Sequence, residues 1–244
     1  MKSERPRHLV YLDSDSIVRE IDGDAEARAA YDMLENLAMQ GYLRSYTSNF
    51  SLMEALDQIK YDEYLRDMIK RSSSPPRTIV HNYRQDRQLS SHSLGVARSR
   101  IEAWVSRYTP GTIVVAQLSS KGFLKEVDPF FLPYTIALHS AIFAPDAVHF
   151  SYALLLGCDL LLSSDYQFCK EINRAMSDRN SPLRKETFQL LESMTGVNQP
   201  QKKNNKLNIP IQAVGFKPFV KIAQHWRLQS RSGSATALST ELRL

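Results

Sequence analysis

Residues 146–165, DAVHFSYALLLGCDLLLSSD, decide the fold. Asp146 to Gly157 reads as a helix and Asp159 to Ser163 (DLLLS) as a short buried strand, with Asp165 just beyond its end. Working outward, Leu132 to Phe143 reads as another helix. Thr112 to Leu118 (TIVVAQL) is a strand by its β-branched content, and Ser93 to Tyr108 is a helix stopped by Pro110-Gly111. Nearer the N-terminus, His8 to Leu12 (HLVYL) is an apolar run that ends at Asp13, and Leu43 to Thr47 is a second strand. Between them Asp24 caps a helix running to about Gln40, with Ala27, Ala30, Tyr31, Leu34 and Leu37 on one face and Gly41 at its end. Ser51 opens a further helix whose apolar positions Leu52, Ala55, Leu56 and Ile59 recur at helical spacing, and Ser72-Ser73-Ser74-Pro75-Pro76 follows as a loop. Alternating strands and helices imply an α/β chain, a three-layer α/β/α sandwich with a central parallel sheet.

The C-terminal part is less patterned. Ile209 to Gly215 reads as a last strand and Phe219 to Trp226 as a helix, while Gln199 to Asn208 is polar, basic and expected to be mobile. Residues after Gln229 are rich in Ser, Thr and Ala and are expected to be frayed or disordered. The organisation expected is one domain over 1–182, with a basic insertion around 66–107, and a basic extension over 183–244 partly packed on it.

A hydrophobic content of 43% in 244 residues leaves enough apolar surface for a core, of which a chain this size buries roughly 70–75%. Two cysteines, Cys158 and Cys169, exclude a disulfide scaffold and a cysteine-built zinc module, and read as small core residues. The longest apolar stretch, Tyr152 to Leu162, is about half of the ~20 residues a bilayer crossing needs. The N-terminal residues lack the apolar segment of a signal peptide. The expectation is a soluble cytoplasmic protein with no membrane partner.

Charge is unevenly spread. Residues 183–244 hold ten Lys/Arg against three Asp/Glu, and residues 60–107 hold ten against five. Residues 1–59 hold six against eleven, so basic flanks surround an acidic centre. That is the pattern needed by an enzyme that acts on a polyanion through metal ions.

Four carboxylates fall where a parallel sheet puts its chemistry, beyond the strand C-termini. Asp13 follows the first strand and Asp165 the fourth, Asp146 opens the helix feeding that strand, and Glu54 lies one turn into its helix. Glu54 has apolar neighbours, so it needs a partner, and a metal ion supplies one. Taken singly, Asp146 reads as a helix cap, Asp165 as a loop cap and Glu54 as a surface acid; their joint placement is what points to a site. No Gly-x-Ser-x-Gly elbow and no Gly-x-x-x-x-Gly-Lys loop occurs, which removes acyl-transfer hydrolases and P-loop enzymes.

The run Asp146-Ala-Val-His to Ser164-Asp165-Tyr-Gln-Phe resembles the C-terminal signature of PIN-domain ribonucleases. Leu12-Asp13-Ser-Asp-Ser-Ile-Val is similar to that family's opening strand and first Asp, and Ser51-Leu-Met-Glu54-Ala-Leu to its acidic helix. The resemblance covers roughly 8–59 and 110–175. It implies that Asp13, Glu54, Asp146 and Asp165 bind Mg²⁺ or Mn²⁺, which prefer oxygen ligands. It also implies metal-activated water hydrolysing RNA to a 5′-phosphate and a 3′-hydroxyl. Ser163 or Ser164 is expected to hydrogen-bond the substrate or a ligand carboxylate, and Asp15, at a position often Asn, Ser or Thr, to add an outer carboxylate or do nothing. The expected partners are an RNA substrate, an antitoxin or another protein, and a second copy of the chain in a homodimer. The family role would be the toxin of a toxin–antitoxin pair or an RNA-processing enzyme.

Two other readings stand beside it. A catalytically silent PIN-like module would bind RNA or protein through the insertion and tail. A haloacid-dehalogenase-like phosphatase would use Asp13 as nucleophile and Asp15 as acid/base, although no completing lysine and paired-acid motifs are found. His149 is expected to make a structural hydrogen bond, and Asp159 to cap the turn into its strand. Arg77, Tyr83, Arg84 and Arg87 interleave base and aromatic, as an RNA-holding or a plain surface helix does.

Overall fold

The computed structural model describes residues 8–86, 89–116, 131–178, 180–195 and 211–232. Five strands, β1 (His8–Leu12), β2 (Leu43–Ser48), β3 (Ile113–Ala116), β4 (Leu160–Leu162) and β5 (Gln212–Val214), form one sheet in the order β3-β2-β1-β4-β5. Every neighbouring pair is parallel, with Leu12 opposite Leu162 across β1 and β4. The chain builds outward from β1 to β3, then returns to lay β4 on the other side of β1. The topology therefore switches direction between β1 and β4, and in open parallel sheets ligands bind beyond the strand ends at such a point.

Helices cover both faces. Alternation along β1 sends Val10 and Leu12 to one face and Tyr11 to the other. The first face is covered by α1 (Ser14–Ile21), α2 (Ala25–Met39), α3 (Asn49–Arg71), α5 (Ser91–Tyr108) and α10 (Phe216–Ser232), around buried Ile17, Leu34, Leu37, Ile59, Trp104 and Phe219. The second is covered by α6 (Phe131–Leu138), α7 (Ala144–Leu155), α8 (Tyr166–Ser177) and α9 (Pro182–Thr195), around Ile136, Phe150, Ile172 and Leu183. Each such side chain, fully buried, contributes ~1.5–3 kcal/mol. The three-layer α/β/α sandwich is what the alternation predicts. Cys158 and Cys169 are both buried, free thiols, as core residues.

Differences from the sequence reading lie at element ends. The helix expected from Leu132 to Phe143 stops at Leu138, because Ser140 Oγ donates to Ile136 O at 2.5 Å and accepts from Ile142 N–H at 3.3 Å. Local side-chain bonds of that kind compete with helical ones. The helix expected from Ser51 begins two residues earlier, at Asn49, where Ser48 Oγ caps it by accepting from Ser51 N–H at 3.0 Å. After the expected Ser/Pro loop, α4 (Pro76–Asp86) starts with proline at its first position. The 66–107 insertion is thus helical, with α5 packed on α3.

Beyond residue 182, β5 extends the same sheet, and α10 packs on α2, with Trp226 stacked 3.8 Å from His8. That helix is longer at both ends than the Phe219 to Trp226 expected. The expectations for Gln199 to Asn208 and for the residues after Ser232 lie outside the described residues, as do the last residues of the strand read at Thr112 to Leu118. Among the described residues no helix is long and apolar enough to cross a membrane.

Candidate functional site

The site forms where β1 and β4 end side by side. Asp13 continues the alternation of Tyr11, and Ser163 that of Leu161, so both face the α7 side. Asp13 N–H donates to Leu162 O at 3.3 Å, and its carboxylate then caps α1, with Oδ1 accepting from Ser16 N–H at 2.9 Å. The Ser163 hydroxyl lowers the Asp13 pKa and accepts from Asp165 N–H at 3.0 Å. Asp165 itself caps α8, accepting from Phe168 N–H at 2.9 Å, and is exposed.

Asp13 is only 4% exposed. Burial pushes its pKa up, from 3.8 to about 7, against the lowering effects of His149, the Ser163 hydroxyl and the Ser16 N–H. A carboxyl so placed stays ionised at neutral pH only with a nearby positive charge.

Asp146 sits in the first turn of α7, half-buried. It is not the cap read from the sequence: Phe143 holds that position, without a side-chain hydrogen bond, and Pro145 fills the first turn. Burial raises the Asp146 pKa to about 6; His149 opposes this, and the charges of Asp165, Glu54 and Asp15 add to it. Asp146 thus lies within electrostatic reach of Asp165, Glu54 and Asp15. Asp15 is exposed and accepts from Ser164 Oγ at 2.8 Å across the β1–β4 junction.

Glu54 is half-buried and turned toward α7. Its Oε2 accepts from Ser14 Oγ at 3.1 Å and meets His149 Nε2 at 2.5 Å. His149, 2% exposed, is held on its other nitrogen by Ser51 Oγ at 3.2 Å and Tyr11 OH at 3.3 Å. Tyr11 OH in turn bonds Ser48 and Ser51, each at 2.9 Å. A buried hydroxyl ring therefore sets the histidine, and the histidine sets Glu54. Sequence reading assigns His149 a structural hydrogen bond without naming its partners, and it does not find Ser14, Tyr11 or Ser51. The available signal is spacing: Tyr11 lies two strand positions before Asp13, and His149 three helical positions after Asp146.

Asp159 stands at the opposite end of β4, its Oδ2 accepting from Leu9 N–H at 2.8 Å. It ties two strands together away from the acidic edge.

Four oxygen-donor side chains suit Mg²⁺ or Mn²⁺. In donor chemistry the residues fit. Their rotamers are a separate matter: among the described residues no three His, Cys, Asp or Glu side chains are grouped to hold one ion.

Compared with family models, curated proteins and solved structures, the chain gives no match.

Proposed function

We propose that this chain is a metal-dependent endoribonuclease of the PIN type, with Asp13, Glu54, Asp146 and Asp165 as its acidic centre. The observation that carries the reading is Asp13: a nearly buried carboxylate at the topological switch point, its backbone bonded to β4 three residues before Asp165, with no Lys or Arg salt bridge among the described residues. Proteins seldom keep such a group unless its partner is supplied from outside. A Mg²⁺ or Mn²⁺ ion bound there would lower the pKa of a water and neutralise charge on the leaving oxygen. Asp13 and Asp146 would hold the cation, Asp165 would complete the cradle from the start of α8, and Glu54 would join from α3. Ser164 and Asp15, paired at the exposed rim, would orient incoming RNA.

The test is cleavage of RNA by the purified chain in Mn²⁺, with EDTA as control. Asp13→Asn or Asp165→Asn should abolish cleavage with folding intact; equal cleavage by wild type and Asp13→Asn overturns the proposal. A neighbouring gene for a small DNA-binding protein would mark the toxin role.

The pinning of Glu54 to His149 favours a second reading, a catalytically silent RNA-binding module. RNA binding indifferent to EDTA, with no cleavage product, would identify it. The phosphatase reading is weakened by the sequence, which holds no completing lysine and paired-acid motifs.

A further inference from the structure

We infer that His149 and Ser14 are positioning residues that lock one oxygen of Glu54 and leave the other to a divalent cation. That a cation is the ligand rests on the metal-dependent reading; the lock itself rests on distances within the protein. Glu54 Oε2 accepts from Ser14 Oγ at 3.1 Å and meets His149 Nε2 at 2.5 Å. Among the described residues Oε1 takes no hydrogen bond, and the half-buried side chain lines an open cleft beside Ser14 and Asp15.

A glutamate on a helix surface samples many rotamers, and freezing them on binding costs entropy. Here α7 and β1 do the freezing in advance. Ser51 and Glu54 lie three residues apart on α3, so they share one face. His149, from α7, meets both of them, Ser51 Oγ through Nδ1 at 3.2 Å and Glu54 through Nε2. The imidazole is held against turning: it is 2% exposed, both nitrogens are engaged, and Phe50 and Tyr11 pack against it with ring centroids 5.3 and 6.1 Å away. Tyr11 OH supports Nδ1 at 3.3 Å and bonds Ser48 and Ser51, whose hydroxyls lie 3.0 Å apart. Ser48 also caps α3, so the support is anchored at the start of the helix that carries Glu54.

An ionised carboxylate accepts at both oxygens. With Oε2 taken by two groups of the chain, Glu54 meets a cation as a pre-aimed ligand through its other oxygen. Partners standing behind a metal ligand orient it, and their loss costs about 10- to 100-fold in metal affinity. The opposite arrangement, in which His149 competes with the cation for Glu54, predicts tighter binding once the imidazole is removed. The two differ in sign.

The experiment titrates the full chain, stripped with EDTA and dialysed, with Mn²⁺ by calorimetry, beside RNA cleavage in Mn²⁺. His149→Ala should weaken Mn²⁺ binding by about 10- to 100-fold, and His149→Gln, which keeps a donor, should recover part of the loss. Ser14→Ala should weaken it by about 2- to 10-fold, as the loss of one hydrogen bond does. That variant alters a partly exposed residue, so it carries the test if His149→Ala fails to fold in thermal unfolding. In the Glu54→Gln background His149→Ala should change the affinity by less than about 2-fold, an outcome that a merely structural role for His149 would not give. Unchanged or tighter Mn²⁺ binding in His149→Ala or Ser14→Ala, an equal loss in the Glu54→Gln background, or no Mn²⁺ binding by the wild type overturns the inference. Mn²⁺-dependent cleavage with affinity unmoved by His149→Ala leaves the nuclease reading standing without it. The expected losses of affinity with no RNA cleavage in any metal do the reverse.

Discussion

Replacing Asp13 by asparagine should stabilise the metal-free protein at alkaline pH, although it removes a residue at the centre of the site. The folded carboxyl keeps its proton up to about pH 7, whereas an unfolded aspartate releases it near 3.8. Between those values the native state binds more protons than the unfolded one, so stability falls as pH rises. Below about pH 3.8 the burial cost is absent, and above about pH 7 it is fully developed. The separation of about three pH units, at ~1.4 kcal/mol each, amounts to about 4 kcal/mol. Asparagine is neutral at every pH and caps a helix as well as aspartate does, so the bond from Ser16 N–H survives. Urea unfolding in EDTA should therefore give nearly equal stabilities for wild type and Asp13→Asn at pH 4. At pH 8 the variant should be the more stable by several kcal/mol. Mn²⁺ should narrow the gap by stabilising the wild type alone, by ~2.7 kcal/mol at a hundred times its Kd. A variant less stable than wild type at pH 8 in EDTA would refute the reasoning, since Asp13 would then already have its compensating charge within the chain.

Two further substitutions test the supports of the site. His149→Ala leaves Glu54 and the Tyr11 and Ser51 hydroxyls without their shared partner and should cost ~1–3 kcal/mol in urea unfolding, with His149→Gln recovering part of it. Gly157→Ala should cost ~1–2 kcal/mol in the same assay from backbone strain alone, because φ is +66° there and nothing lies within 4 Å of an added Cβ.

The strands and long helices were legible because their signals are local. Leu160 to Leu162 is an unbroken apolar triplet, and the apolar face from Ala27 to Leu37 repeats at helical spacing across α2. The short helices α1 and α8 were not assigned. Each begins at an aspartate that sequence reading treats as chemistry, and in the structure Asp13 and Asp165 are helix caps as well. Capping by those carboxylates follows from strand-to-helix turns that exist only once β1 and β4 are paired. Sequence reading gives His149 its structural hydrogen bond but not its partners, because they come from β1 and α3, 95 to 138 residues away in the chain.

By itself, the order of residues determined the alternation of strands and helices, the free, core-type cysteines and the positions of four acids at element ends. Periodicity and turn chemistry act over a few residues, and that range covers all of these. Only the tertiary structure decided that β4 lies beside β1, that Ser164 reaches Asp15 across their ends, and that Glu54 is turned onto His149. Each depends on which strands pair and which side chains lose water together, and no local pattern carries that information.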